Sequence, residues 1–318
     1  MSLHTASGRW RLGLVLALAT AACWATLPVA LKLALAGLDP YTLTWFRFVF
    51  ATVGLGLWLA WRGRFGEFRG LSPRLWLLLA LAALMLIGNY VFYLLGLYYT
   101  TPGNAQLLIQ LAPLLMGLGG ILVFGERYVA GQWLGFGAVV AGLLLFFRDQ
   151  LATFAGGAGY LLGAGLIVIA AVVWAVYALT QKQLLVRLSS PLVLWFIYAV
   201  ASLLLLPLAT PTALLPLSAG QWTALLYCAV NTLIAYGAFA EALAHWEASR
   251  VSAVLALTPL LTFASVLGAH WLWPSLIDAE QISALGLAGA LLVVFGSALT
   301  SLLGQRRRAT APDLRASK

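Results

Sequence analysis

The chain has 318 residues, 63% of them hydrophobic and 8% charged, with a net charge of +9 and a mean hydropathy of +0.98. A water-soluble domain wets its surface with about 25% charged residues, so a soluble globular class is excluded and lipid must solvate most of this surface. The basic excess does not indicate nucleic acid, because Lys and Arg lie in short breaks between apolar runs and form no patch.

A bilayer core takes about 20 helical residues. Apolar runs of that order, bounded by turn or charge signals, predict helices over 12–33, 42–61, 74–97, 103–123, 130–147, 158–181, 191–209, 220–243, 251–272 and 282–303. The runs lack a two-residue alternation, which in lipid selects helices over a barrel. The first follows Arg9 and Arg11 and offers Ala17, Ala19 and Ala21 to a signal peptidase, yet it stays apolar to Leu31 and reads as a span. The fifth is short and rich in glycine. With the N-terminus inside, every Lys and Arg falls on the cytoplasmic side except Lys32, Arg47 and Arg148, which is the bias expected of an even number of spans. Both termini are therefore expected in the cytoplasm of a cell whose inner membrane holds the protein. The tail from Gln305 is polar and basic and is expected to lie against anionic lipid.

The chain repeats itself. At a shift of 150, Trp24-Ala25 meets Trp174-Ala175, Lys32 meets Lys182, and Trp45-Phe46 meets Trp195-Phe196. At 146, Ala112-Pro113-Leu114-Leu115 meets Thr258-Pro259-Leu260-Leu261, and at 142 Asn89 meets Asn231. A seven-residue glycine step, Gly135 to Gly142, recurs as Gly289 to Gly296. Five spans per copy is an odd number, so the copies must be inverted in the membrane, an architecture suited to alternating access. The expected fold is an all-α integral membrane protein, ten transmembrane helices as two inverted five-helix repeats. Its parts are a cytoplasmic segment 1–11, repeats 12–147 and 158–303, and a basic tail 304–318.

This pattern resembles the EamA-type helices of the drug/metabolite transporter superfamily. The matching residues are Trp24-Ala25 with Pro28 and Lys32, Arg47-Phe48, and Ala112-Pro113-Leu114 followed by Gly125-Glu126 and Gly135. In the second half they are Trp174-Ala175, Tyr177, Lys182, Pro259 and Gly286. The resemblance implies a ten-helix carrier with a central cavity between its halves, many such proteins being exporters of amino acids and related metabolites. One departure stands out: the Gly-Glu after span four has no copy after span nine, where His270-Trp271-Leu272-Trp273-Pro274 stands instead.

The candidate chemistry lies in polar residues placed where lipid would be. Arg47 sits inside span two, where a central charge costs about 2.5–3.5 kcal/mol; it either snorkels to the interface or attracts a carboxylate-bearing solute. Lys32 offers the same choice nearer a helix end. Gln106, Gln110 and Pro113 fall at i, i+4 and i+7 and share one face of span four. The proline removes a backbone hydrogen bond and is expected to free the Ile109 carbonyl. Ser252 and Pro259 form a thinner stripe on span nine, and Pro28 interrupts span one. Asn89 with Tyr93, and Asn231 with Tyr236, pair an amide with an aromatic ring. Trp24, Trp174 and Tyr177 could wall a flat solute, although most tryptophans in such a chain belong to interfacial belts. Glu241 reads as the most buried acid and is the candidate for proton coupling, with pairing to Arg250 the alternative.

Cys23 and Cys228 lie in apolar runs as small buried residues. His4, His245 and His270 are too dispersed for a metal site, and no phosphate-binding glycine loop is present. No metal and no cofactor are expected, and the chain does not read as an enzyme. The expected partners are the lipid bilayer and a small-molecule substrate, moved by alternating access. A passive channel or membrane sensor would share the hydropathy, and an intramembrane enzyme fits less well. A dimer face and a lipid face both read as apolar, so no oligomeric state is assigned.

Overall fold

In the computed structural model the described residues are 7, 9–124, 129–153, 158–246, 251, 254–255, 257–274 and 283–302. Helices run α1 (Trp10–Leu35), α2 (Pro40–Trp61), α3 (Pro73–Tyr99), α4 (Pro102–Leu108), α5 (Leu111–Phe124), α6 (Ala130–Thr153), α7 (Ala158–Leu184), α8 (Ser190–Leu205), α9 (Ala219–His245), α10 (Thr258–Leu272) and α11 (Ala284–Leu302). Short 3₁₀ turns occupy Arg64–Phe68, Leu206–Leu208 and Pro211–Leu214. Among the described residues, six segments are long and apolar enough to cross a membrane by length and composition: α1, α2, α3, most of α7, α8 with its 3₁₀ extension, and α9. Large apolar side chains such as Leu57, Leu77, Leu134 and Leu203 stand on the outside, which suits contact with lipid tails.

Helix starts follow local chemistry. Asp39 accepts from the amides of Tyr41 and Thr42 with Pro40 opening α2, and Ser72 and Thr101 cap α3 and α4, each followed by proline. Ser218 and Gln221 form a reciprocal capping box on α9. Each arrangement satisfies amides that have no partner within the helix.

The predicted fourth span is two helices. Gln110 N–H donates to Leu107 O, and Ala112 N–H to Ile109 O at 2.8 Å. The ladder thus tightens to i→i−3 around Ile109 and Gln110, three residues before Pro113. The expectation that Pro113 leaves the Ile109 carbonyl free is therefore corrected, because the Ala112 amide takes that oxygen.

Helix pairing is that of two halves exchanged by a two-fold axis. The pair α6–α11 and the pair α2–α8 each join equivalent helices, while α1–α9 mirrors α3–α7, and α1–α10 mirrors α5–α7. Thr52 and Ser202, exactly one 150-residue shift apart, touch each other through their hydroxyls at 3.2 Å. In α6–α11 a Cβ on Gly142 would lie 2.6 Å from Gly289 O, and one on Gly296 2.6 Å from Gly135 O. The repeated glycine step thus lets two backbones touch. Gly13 packs on Trp246 as Gly163 packs on Thr100; Thr20 donates to Ala235 O as Asn89 donates to Ala170 O. These matched contacts set the shift at 150 for α1/α7 and 146 for α3/α9. Tyr90 is thus the counterpart of Tyr236, and Asn89 that of Ala235. The pairing of Asn89 with Asn231 is one helical turn out.

Two ends of the bundle are distinguishable. The near end gathers Ser7 with His245, and Glu67 with Ser189. The far end gathers Gly37 with Gln221, Thr42 with Thr210, and Lys32 with Tyr98.

Candidate functional site

Where the halves meet, the structure holds a partly open cavity of about 90 Å³, against roughly 10–15 Å³ needed for one water. That is room for several waters or one small solute. α1 contributes Trp24, Leu27, Pro28 and Leu31; α3 contributes Asn89, Tyr90 and Tyr93. Gln106, Ile109, Gln110, Ala112 and Pro113 come from the broken fourth span, Arg47 from α2, Trp174 from α7, Tyr236 from α9, and Leu255 and Thr258 from the second half. The cavity occupies the far half of the bundle.

On the near side it is floored by rings. Trp24 stands 6.0 Å from Trp174, 5.4 Å from Tyr236 and 5.5 Å from Phe239. Tyr177 packs behind Trp174 and Tyr236 at 6.4 and 6.2 Å. Such tilted and edge-on contacts suit aromatic quadrupoles.

The polar groups gather on the wall built mainly by the first half. Arg47 is 3% exposed. Its Nε–H donates to Thr232 Oγ1 at 3.0 Å, and its guanidinium lies 4.6 Å from the Tyr90 ring centroid. The Thr232 hydroxyl in turn donates to Cys228 O at 2.8 Å. No described carboxylate pairs with Arg47; Arg64–Glu67 and Glu241–His245 are acid–base contacts elsewhere in the bundle. A hydroxyl and an aromatic face hold the cation without neutralising it, so the site keeps a positive charge at low dielectric. Tyr93 Oη donates to Gln106 Oε1 at 3.2 Å. Gln110 Oε1 and Thr258 Oγ1 are buried without a hydrogen-bond partner. Pro28 has no N–H to give the Trp24 carbonyl one turn back.

Of the residues singled out in sequence, the cavity gathers Trp24, Pro28, Arg47, Asn89, Tyr93, Gln106, Gln110, Pro113, Trp174 and Tyr236. Five do not line it. Lys32 reaches back to the Tyr98 carbonyl at 3.4 Å at the far end. Tyr177 is sealed behind the aromatic floor. Asn231 donates to Cys23 O at 2.8 Å and ties α9 to α1. Pro259 is buried at the start of α10 beside Thr258. Glu241 is not a buried acid: its side chain is 43% exposed at the near end, 3.7 Å from His245. Ser252 and Glu126, with Arg250, lie outside the described residues. Tyr90 and Thr232 were not anticipated. Carrying the 146 shift of Ala112-Pro113 back into span three would have paired Tyr90 with Tyr236 and exposed the first of them.

Two inverted five-helix halves around a central cavity that carries polar groups on one wall define a class, the membrane carriers of small solutes. The pattern of the EamA-like transporter family matches residues 11–148 and again 161–302. The chain belongs to that family; it is a multi-pass transporter and not an enzyme. It is 38% identical over 299 residues to the inner membrane transporter YhbE of Escherichia coli (strain K12), covering 93% of this chain and 92% of that protein. A transporter of Haemophilus influenzae is 33% identical, with 92% and 95% covered. A more distant Escherichia coli relative, named "Probable amino-acid metabolite efflux pump", is 27% identical over 89% of this chain and 92% of its own. A crystal structure superposes with a TM-score of 0.67 at 20% identity, covering 96% of this chain and all of that one; it speaks to fold alone.

Proposed function

We propose that the protein exports a small carboxylate-bearing metabolite, an amino acid or a relative, by alternating access, with both termini in the cytoplasm. The observation that carries this reading is Arg47: a buried cation facing the cavity, with no acid beside it among the described residues and two glutamines on the adjoining wall. A zwitterion offers a carboxylate for the guanidinium and an ammonium for the Gln110 and Thr258 oxygens. The aromatic floor gives its side chain an apolar surface. The name of the distant efflux pump points the same way. The repeat boundaries 12–147 and 158–303 delimit the two moving halves. Flux of a panel of amino acids and their decarboxylated amines, measured in inverted membrane vesicles, tests the reading. Uptake of at least one carboxylate is expected, and absence of flux for every member would refute it.

A further inference from the structure

The two-fold relation makes a statement about residues outside the cavity. At a shift of 150, the α1 residues Leu27, Pro28 and Leu31 correspond to Tyr177, Ala178 and Gln181 on α7. The first three line the far-half cavity. The second three lie in the near half, where Tyr177 and Gln181 are 0% exposed. Side chains buried in this way have no use for unbonded polar atoms, yet these hold three with no partner: Tyr177 Oη, Gln181 Oε1 and Gln181 Nε2. Buried polar groups are ordinarily bonded, and leaving them unbonded costs free energy. Leucine at Leu31, the counterpart of Gln181, shows that the helix position does not itself require an amide.

We propose that Tyr177 and Gln181 line a second cavity, opened toward the near end when the halves exchange conformations, where they hydrogen-bond a polar solute on its way through. In that state the mirror of the present cavity forms, and the phenol and amide meet water or solute. The two residues provide donors and acceptors without fixed charge, which suits the polar groups of a zwitterion in transit. The unpaired atoms also disfavour this burial, so the near half is built to open. The inference rests on the alternating-access reading above.

The test uses the full chain in proteoliposomes with Cys23→Ala and Cys228→Ala, into which Ala178→Cys, Gln181→Cys or Leu31→Cys is placed. A membrane-impermeant maleimide is applied to one face at a time. Ala178→Cys and Gln181→Cys are expected to react from the face that bears the termini, and Leu31→Cys from the opposite face. Adding Gln181→Leu to the Ala178→Cys chain removes the unbonded amide from the near half and should slow near-face labelling roughly tenfold. Inert cysteines at 178 and 181 in proteins that still carry solute would overturn the proposal. So would labelling from the Leu31 face, or a labelling rate indifferent to Gln181→Leu. Failure of the underlying reading looks different: the parent protein would show no carboxylate flux at all.

Discussion

Replacing Arg47 isolates the contact on which substrate choice depends. A hydrogen bond to a charged partner is worth about 1.5–3 kcal/mol, and each 1.4 kcal/mol is a factor of about ten. Arg47→Leu should therefore weaken the apparent affinity for a carboxylate substrate by roughly 10- to 150-fold. Arg47→Lys keeps the charge but loses the 3.0 Å bond from Nε to Thr232, so an intermediate loss is expected. The structure predicts little cost in stability, because the guanidinium has only a hydroxyl and the Tyr90 face as partners. Removing one member of a buried ion pair is costly because it strands the other charge, and among the described residues Arg47 has no such partner to strand. The assay is concentration-dependent uptake of an amino acid and of its decarboxylated amine into proteoliposomes, with thermal unfolding in detergent as the control. The amine should be carried equally well by the Leu variant and the parent. Equal losses for acid and amine, with unfolding unchanged, would refute the reasoning.

Three further outcomes follow from the geometry. Gly289→Val should lower the unfolding temperature sharply, since its Cβ would lie 2.8 Å from Gly142 O and 2.9 Å from Phe146 N, both backbone atoms that cannot step aside; overpacking of this kind costs about 1–3 kcal/mol. Gly137→Ala, which meets open space, is its matched control and should unfold like the parent. Asn231→Ala removes the 2.8 Å bond to Cys23 O and should cost about 0.5–1.5 kcal/mol in unfolding measurements while leaving substrate affinity alone. Glu67 accepts from the Ser189 amide at 2.9 Å and from Arg64 Nε at 2.8 Å, joining the two halves at the near end. Partial burial raises its pKa, but the bonds from Ser189 and Arg64 outweigh this and leave it below the ordinary 4.5. Its contribution is thus present above that ordinary value and lost as pH falls through the lowered one. Unfolding scans from pH 7 down to this acid range should show a loss in the parent that Glu67→Gln lacks.

Span number, inversion and the polar stripe of span four were legible in the sequence because each rests on covalent spacing. An apolar run of about 20 residues, a Trp-Ala pair repeated at 150, and glutamines four apart need no tertiary knowledge. Each of the other outcomes has its own physical cause. Glu241 read as buried because its neighbours are apolar, but its position at the end of α9 brings it to the surface beside His245. Lys32 lies close in sequence to Pro28 and Leu31, yet its long side chain extends past the cavity to Tyr98. The break in span four sits at Gln110, ahead of the proline, because the ring of a proline and its missing N–H disturb the helical turn that precedes it. Tyr90 and Thr232 were hidden because what they do depends on which helices pack together: each acquires its role only from Arg47, which arrives from another helix.

The account turns on a carrier whose two halves take turns opening around one carboxylate site. Trans-stimulation measures that most directly: proteoliposomes are preloaded with an unlabelled transported amino acid, and entry of its labelled form is followed after dilution. Entry should be faster than into empty vesicles, should overshoot, and should saturate. Entry that is linear in concentration and indifferent to the preload would mark a pore and contradict the account.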